Sequence, residues 1–290
     1  MTESIPGRMG SYSLAGRTIA LLTRHGKERV IAPMLEPALG CRVEVVDTFD
    51  TDQLGTFTRE IPRAGTQLEA AARKARIGME LSGSSFGLGS EGAFGPDPGI
   101  GLIPWNVEYV VLVDDARGLE LAGLAQGPAR QAHRTVNTWQ ALEGFAEEAG
   151  FPDHHLVLRP DNENDPRICK GIADFETLER TYAWAREQSA TGEMFVEIDL
   201  RAHCNPTRMQ MIARAAEDLV TRLGSPCPEC GAPGFWLVER LPGLPCADCG
   251  APTRQARAEV RGCIRCPCRE TRPAGPGQYA DPAVCDWCNP

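Results

Sequence analysis

Four Cys-x-x-Cys pairs crowd the last quarter of the chain: Cys227-Pro-Glu-Cys230, Cys246-Ala-Asp-Cys249, Cys263-Ile-Arg-Cys266 and Cys285-Asp-Trp-Cys288. Such a turn aims backbone N–H groups at its thiolates, and two turns together make a closed tetrahedral zinc site. Eight thiols at this spacing predict two structural Zn2+ ions. A tail this short has little core of its own, so the metal is expected to supply much of its folding free energy. The pairing stays open. Fifteen residues separate the first two pairs and eighteen the last two. Sequential ribbons are the first expectation; interleaved pairing, first pair with third and second with fourth, is the alternative. Cys268 is left over, or stands in for Cys263 or Cys266. Cys41, Cys169 and Cys204 lie elsewhere and look like isolated, mostly buried thiols.

The opening residues, MTESIPGRMGSYSLAGR, show no basic stretch followed by an apolar core. That argues against a secretory signal and for a cytoplasmic setting, where thiols favour metal over disulfides. No run of 18 apolar residues occurs, so no membrane span is expected. A formal charge of −9 argues against a generic nucleic-acid binder. Arg254, Arg257, Arg261, Arg265, Arg269 and Arg272 do cluster around the third cysteine pair. Nucleic acid is one partner for them, but compensation of two tetrathiolate centres is the favoured explanation. Composition shifts sharply at Ser225-Pro226, which divides the chain into a fraying N-terminus (1–16), an α/β domain (17–223) and a tandem zinc-ribbon tail (224–290).

Within 17–223 the pattern alternates strands and helices. RTIALLT (17–23) reads as a strand, followed by a helical stretch to about Leu39 that Pro33 and Pro37 should kink or split, then a second strand at Arg42–Asp47. The polar stretch 48–65 is long enough to be a functional loop or lid. Thr66 and Glu69 form a capping box for the next helix. Phe86–Gly89 is a short strand that should end in a Gly-rich acidic turn, SEG at Ser90–Gly92. Two strands joined around Asp115-Ala116-Arg117 follow, then helices at about 138–149, 174–189 and 206–223, with strands near 155–159 and 194–200. Together these predict a mixed sheet flanked by helices.

The loop Thr23-Arg-His25-Gly26-Lys27 sits between a strand and a helix, where backbone N–H groups and a lysine suit a phosphate. It lacks the spacing of a Walker A loop. The chain has only three lysines, Lys27, Lys74 and Lys170, so a lysine in such a loop stands out. Glu91 is the best candidate for a metal-binding or catalytic carboxylate, with Glu60 and Glu69 competing for a second position. Near the end of the domain, Arg201, His203 and Arg208 gather where a strand meets a helix, beside Glu197, Asp199 and Asn205.

The order TRHGKE, Gly55-Thr56-Phe57, Lys74-Ala75 and Ser90-Glu91-Gly92 resembles the inosine-triphosphate pyrophosphatase superfamily, and within it the branch acting on non-canonical purine triphosphates. His25 replaces the asparagine of that family's phosphate loop, and Arg201–Arg208 only faintly resembles its late base-recognition segment. As a whole the chain resembles an uncharacterised bacterial family of unknown function that joins such a domain to a zinc-ribbon tail. The resemblance implies a Mg2+-dependent nucleoside triphosphate pyrophosphatase, with Glu91, Lys27 and Glu60 catalytic. Thr23, His25, Gly26, Lys27, Thr56, Lys74, Ser90, Arg201, His203 and Arg208 would then bind a nucleotide or other small phosphorylated ligand. The alternative is a non-enzymatic phosphate-binding domain whose ribbons dock a protein or nucleic acid.

Overall fold

The computed structural model describes residues 12–49 and 65–290. Gly55, Thr56, Phe57 and Glu60 therefore lie outside the described residues. The chain divides into two compact units, Leu14–Leu219 and one that joins Val220–Pro290, the C-terminal unit below, to the described residues Tyr12 and Ser13.

The first unit begins with β1 (Thr18–Leu22), α1 (Glu28–Leu39) and β2 (Arg42–Val46). Both prolines sit inside α1, which is neither split nor ended by them. They fall four residues apart on its exposed side, where freed carbonyls can turn to water, while Ile31, Leu35 and Leu39 form the buried stripe. α2 (Gln67–Ser82) starts at the expected box: Thr66 N donates to Glu69 Oε2 at 2.8 Å, and Glu69 N donates to Thr66 Oγ1 at 3.2 Å. Glu69 is thus engaged in capping at an exposed helix start. β3 (Phe86–Pro96), β4 (Pro104–Asp114) and β5 (Leu119–Pro128) complete a five-stranded sheet in the order β2-β1-β3-β4-β5. β1 runs parallel to both neighbours, and β3, β4 and β5 form an antiparallel meander.

The Gly-rich stretch is not a turn. It is the body of β3, and its glycines are set by helix contact. A Cβ at Gly87 would lie 2.5 Å from the Ala75 carbonyl oxygen, and one at Gly89 would lie 1.8 Å from that of Ala71. The glycines and the facing Ala71, Ala72 and Ala75 of α2 let helix and strand backbones approach closely.

A second, separate sheet follows where one mixed sheet was expected. It is built from β6 (His133–Val136), β7 (Leu156–Pro160), β8 (Cys169–Ile172) and β9 (Met194–Ile198), with α3 (Trp139–Ala149) and α4 (Phe175–Gln188) as crossovers. Its order is β6-β9-β7-β8 with antiparallel neighbours throughout. The apolar strands β7 and β9 pair with each other and share a core with Leu142, Phe145 and Leu178 of the helices, so they need no place in the first sheet. α5 (Pro206–Leu223) then starts behind Asn205, whose Oδ1 accepts from Arg208 N, with Pro206 as first helical residue. It lies on β5 at Gly123, where a Cβ would be 2.1 Å from the Ala215 carbonyl oxygen. Among the described residues no helix is long and apolar enough to cross a membrane.

The C-terminal unit contains an antiparallel three-stranded sheet, β10 (Trp236–Pro242), β11 (Ala256–Gly262) and β12 (Arg269–Pro273). Its hydrophobic cluster consists of Cys227, Phe235 and Cys268, with Cys263 and Cys266 packed against it.

Candidate ligand crevice and metal centres

The chain leaves β1 toward β2 on one side and returns to β3 on the other, so the carboxyl ends of β1 and β3 form a topological switch point. Ligands of open α/β sheets bind in that crevice. Here the loop Thr23–Lys27 faces Ser90, because Leu21 pairs with Leu88 and β3 runs on beyond the end of β1. Lys27 is buried and donates from Nζ to the Ser90 carbonyl oxygen at 2.8 Å and to Ser90 Oγ at 3.3 Å. Both acceptors are neutral. Burial, then the charge of Arg208, lowers Lys27 to about 7 against the opposing pull of Glu91.

Two buried carboxylates stand nearby, each with its own cation. Lys74 Nζ meets Glu91 Oε2 at 2.8 Å, both side chains at least nine-tenths buried. Arg208 Nε meets Glu108 Oε1 at 2.7 Å, also within the interior, and its NH1 donates to the Leu200 carbonyl at 2.7 Å. Glu91 lies on the α2 side of β3, whereas Ser90 and Gly92 face the α5 side, as alternation along a strand requires.

Thr23 Oγ1 accepts from His25 N at 3.2 Å. The His25 ring stacks on His203 with centroids 4.9 Å apart. Burial, then the charges of His203, Lys27, Arg208 and Lys74, push His25 down to about 3, so it is neutral at ordinary pH. A cavity of about 370 Å3 opens here, lined in part by His25, Gly26, Arg29, Asp153, His203 and Gln210. It lies where the first turns of α1 and α5 come together, and helix N-termini favour anions.

Of the residues anticipated from sequence, His25, Gly26 and His203 line the cavity; Thr23 bonds to His25, Lys27 to Ser90, and Arg208 acts on His25 by its charge, with the Lys74–Glu91 pair behind β3. Arg201 is turned away into Asp199, which it meets at 2.6 Å and whose carboxyl it holds low against the effect of burial. Glu108, Asn106, Arg29 and Asp153 were not anticipated. The signal for two of them lies in PWNVEYVVLVD, where Asn106 and Glu108 alternate with the remaining residues and so share one face.

The eight CxxC cysteines form two groups able to hold a metal ion: Cys227, Cys230, Cys263 and Cys266, and Cys246, Cys249, Cys285 and Cys288. The pairing is interleaved, which corrects the sequential ribbons expected first. The reason is strand direction. β10 runs from the Cys230 turn to the Cys246 turn, β11 returns from Cys249 to Cys263, and β12 leaves from Cys266, so pairs one and three meet at one end of the sheet. Thiol separations are 3.6 Å for Cys227–Cys266 and Cys230–Cys263, 3.8 Å for Cys246–Cys288 and 3.7 Å for Cys249–Cys285. A zinc tetrahedron with Zn–S near 2.3 Å has edges of about 3.8 Å, so both groups fit that ion. Turn N–H groups tune the thiols: those of Cys288 and Trp287 bring Cys285 down to about 7. Cys268 belongs to neither group; it is buried against Cys227, and burial pushes it up to about 11.

Seven arginines and seven acidic residues balance within 224–290, and several are paired: Arg240 with Glu259, Arg254 with Asp286, Arg269 with Glu239 and Arg272 with Glu270. Arg222 and Arg261 both stack on Trp236, at 5.7 and 5.2 Å.

No curated protein and no solved structure matches the chain. A family model does match over residues 74–290, about three quarters of the length, taking in Lys74, Glu91, Glu108, Arg208 and both cysteine groups. The chain therefore belongs to the family described as Domain of unknown function (DUF6671).

Proposed function

We propose that the first unit binds a small phosphorylated ligand, of which a nucleotide is the leading example, in the crevice at the β1–β3 switch point. The observation that carries this reading is Lys27: a buried lysine hydrogen-bonded only to neutral oxygens, while Glu91 and Glu108 are occupied by Lys74 and Arg208. Among the described residues Lys27, Lys74 and Arg208 stand against two carboxylates here, so Lys27 in its charged form calls for a further anion, which a bound phosphate would supply. A volume of about 370 Å3 falls within the usual range for small-molecule sites.

Hydrolysis of that ligand, as a nucleoside triphosphate pyrophosphatase would perform it with Mg2+, is the second reading. Its support is the buried carboxylates near the switch point, Glu91 on the α2 face of the sheet and Glu108 on the opposite face, either of which would hold a cation together with ligand phosphates. The C-terminal unit takes two structural Zn2+ ions in this account. With its arginines matched by acids, and each tetrathiolate zinc centre adding about two negative charges, a nucleic-acid role for it is not favoured.

The test uses the full chain and calorimetric titration with inorganic phosphate, pyrophosphate and nucleoside triphosphates, each with and without Mg2+. At least one of these should bind with one-to-one stoichiometry, and Lys27→Met should weaken it by tenfold or more, the loss of one charged hydrogen-bond partner. If none of these phosphates binds, the reading fails. Release of pyrophosphate from a triphosphate would decide for hydrolysis, and binding without turnover would decide against it.

A further inference from the structure

Asn106 and Glu108 stand two residues apart on β4 and share the face that α5 covers; Asn106 is 2% exposed and Glu108 0%. One carboxylate oxygen of Glu108 is fully engaged. Oε1 accepts from Arg208 Nε at 2.7 Å and from Asn106 Nδ2 at 3.0 Å, and the same Nδ2 reaches the Ala93 carbonyl at 3.1 Å. Glu108 Oε2 and Asn106 Oδ1 are buried with no hydrogen-bond partner among the described residues. Buried acceptors are rarely left so, and two on hydrogen-bonded neighbours call for a common explanation.

The strand opposite is shaped to this carboxylate. Gly92 pairs with Glu108, and a Cβ there would lie 2.1 Å from Oε1 and 2.3 Å from Oε2. No side chain fits at that position while the carboxyl keeps its place. Ser90, which receives Lys27, is two residues along on the same face of β3, roughly 7 Å away at strand spacing.

We propose that Glu108 Oε2 and Asn106 Oδ1 are ligands of a hard divalent cation of the Mg2+ and Mn2+ class, whose remaining ligands are water and oxygens of the phosphate held near Lys27. Both atoms are oxygens, the donor type such cations select, and Mg2+ is commonly held by one or two protein oxygens together with ligand phosphates. Arg208 and Asn106 Nδ2 fix the carboxylate through its other oxygen, leaving Oε2 as the free arm. This moves the expected cation from Glu91, which Lys74 occupies, to a residue one strand over. The inference rests on the phosphate-binding reading for the outer ligands but not for the two protein ligands.

The experiment is anomalous diffraction from crystals of the full chain soaked in Mn2+ alone and in Mn2+ with pyrophosphate. An anomalous peak about 2.1 Å from both oxygens, present or strengthened with pyrophosphate, is the expected result. A water or no density at that position, or a peak at Glu91 instead, overturns it. In solution, Mn2+ should tighten pyrophosphate binding at least tenfold in the wild-type chain, and in Glu108→Gln the ratio of affinities with and without Mn2+ should fall to about one. An equal gain in Glu108→Gln also overturns the assignment. Should Glu108→Gln fail to fold, the wild-type anomalous map decides alone. Absence of binding by every phosphate tried, with or without metal, would count against the phosphate reading, whereas the Mn2+-only soak still judges the cation site.

Discussion

In the first unit, apolar clusters hold the elements together: fifteen buried residues join the second sheet to α3 and α4, and alanines of α2 lie on the glycines of β3. Charge enters that interior in pairs, Lys74 with Glu91 and Arg208 with Glu108, and among the described residues Lys27 meets only the neutral oxygens of Ser90. In the C-terminal unit the hydrophobic cluster is Cys227, Phe235 and Cys268, and three strands are strung between two thiol groups. The contrast sets two ways of stabilising a fold side by side: one region tolerates buried charge because its core is large, and the other, with a small core, carries two thiol groups able to hold a metal ion.

The contrast breaks most visibly if metal proves dispensable. Chelation of the full chain should unfold the C-terminal unit, since a structural zinc site contributes on the order of 10 kcal/mol of folding free energy. Loss of β signal by circular dichroism, together with release of about two metals per chain, is the expected outcome. Interleaving adds a sharper point. The segment carrying Cys246 and Cys249 lies within the loop closed by the first group, and the segment carrying Cys263 and Cys266 lies within the loop closed by the second. Cys263→Ala should therefore reduce bound metal toward zero rather than to one per chain.

The buried pairs of the first unit come next. Lys74→Met removes the 2.8 Å contact to Glu91 and should cost about 3–5 kcal/mol in chemical denaturation, whereas Lys74→Met with Glu91→Leu should recover most of that loss. If the single and double substitutions cost the same, the pair is not what holds the two side chains in place. Smaller again is Gly89→Ala, expected to cost about 1–3 kcal/mol because its methyl would meet the Ala71 carbonyl, a backbone atom that no rotamer change can move. Gly95→Ala, with nothing within 4 Å, should stay within about 0.5 kcal/mol.

A further effect concerns pH. Lys27 is lowered from 10.5 to about 7 in the folded chain, so between those values the unfolded chain binds the extra proton. The lysine's unfavourable contribution is present in full below pH 7 and is relieved as pH rises toward 10.5. Measured as the difference between wild type and Lys27→Met, stability should climb across that window and stay flat below it.

How much of this was legible in the sequence follows from the range of the forces involved. Local signals translated directly: the Thr66–Glu69 box, Asn205-Pro206 ahead of α5, and the apolar runs of β1, β7 and β9. CxxC spacing found every thiol of the two groups but not their partners, because pairing depends on the antiparallel course of β10, β11 and β12. The glycines of β3 read as a turn because glycine marks both turns and close backbone approach, and only the facing alanines of α2 decide between them. Glu108 was missed for a related reason. A charged residue inside an apolar strand has meaning only once Arg208, a hundred residues later, is seen to meet it. The second sheet was invisible because strand pairing among β6, β7, β8 and β9 is non-local.

The role assigned to Lys27 is tested most directly by proton uptake. At pH 8 the free amine is mostly neutral, and a bound anion would favour its charged form. Calorimetric titration of the full chain with a nucleoside triphosphate, run at pH 8 in two buffers of different ionisation heat, should report uptake approaching one proton per ligand. At pH 6, where Lys27 is already charged, that uptake should be nearly absent. Binding at pH 8 without proton uptake, or binding that Lys27→Met leaves unchanged, would contradict the account.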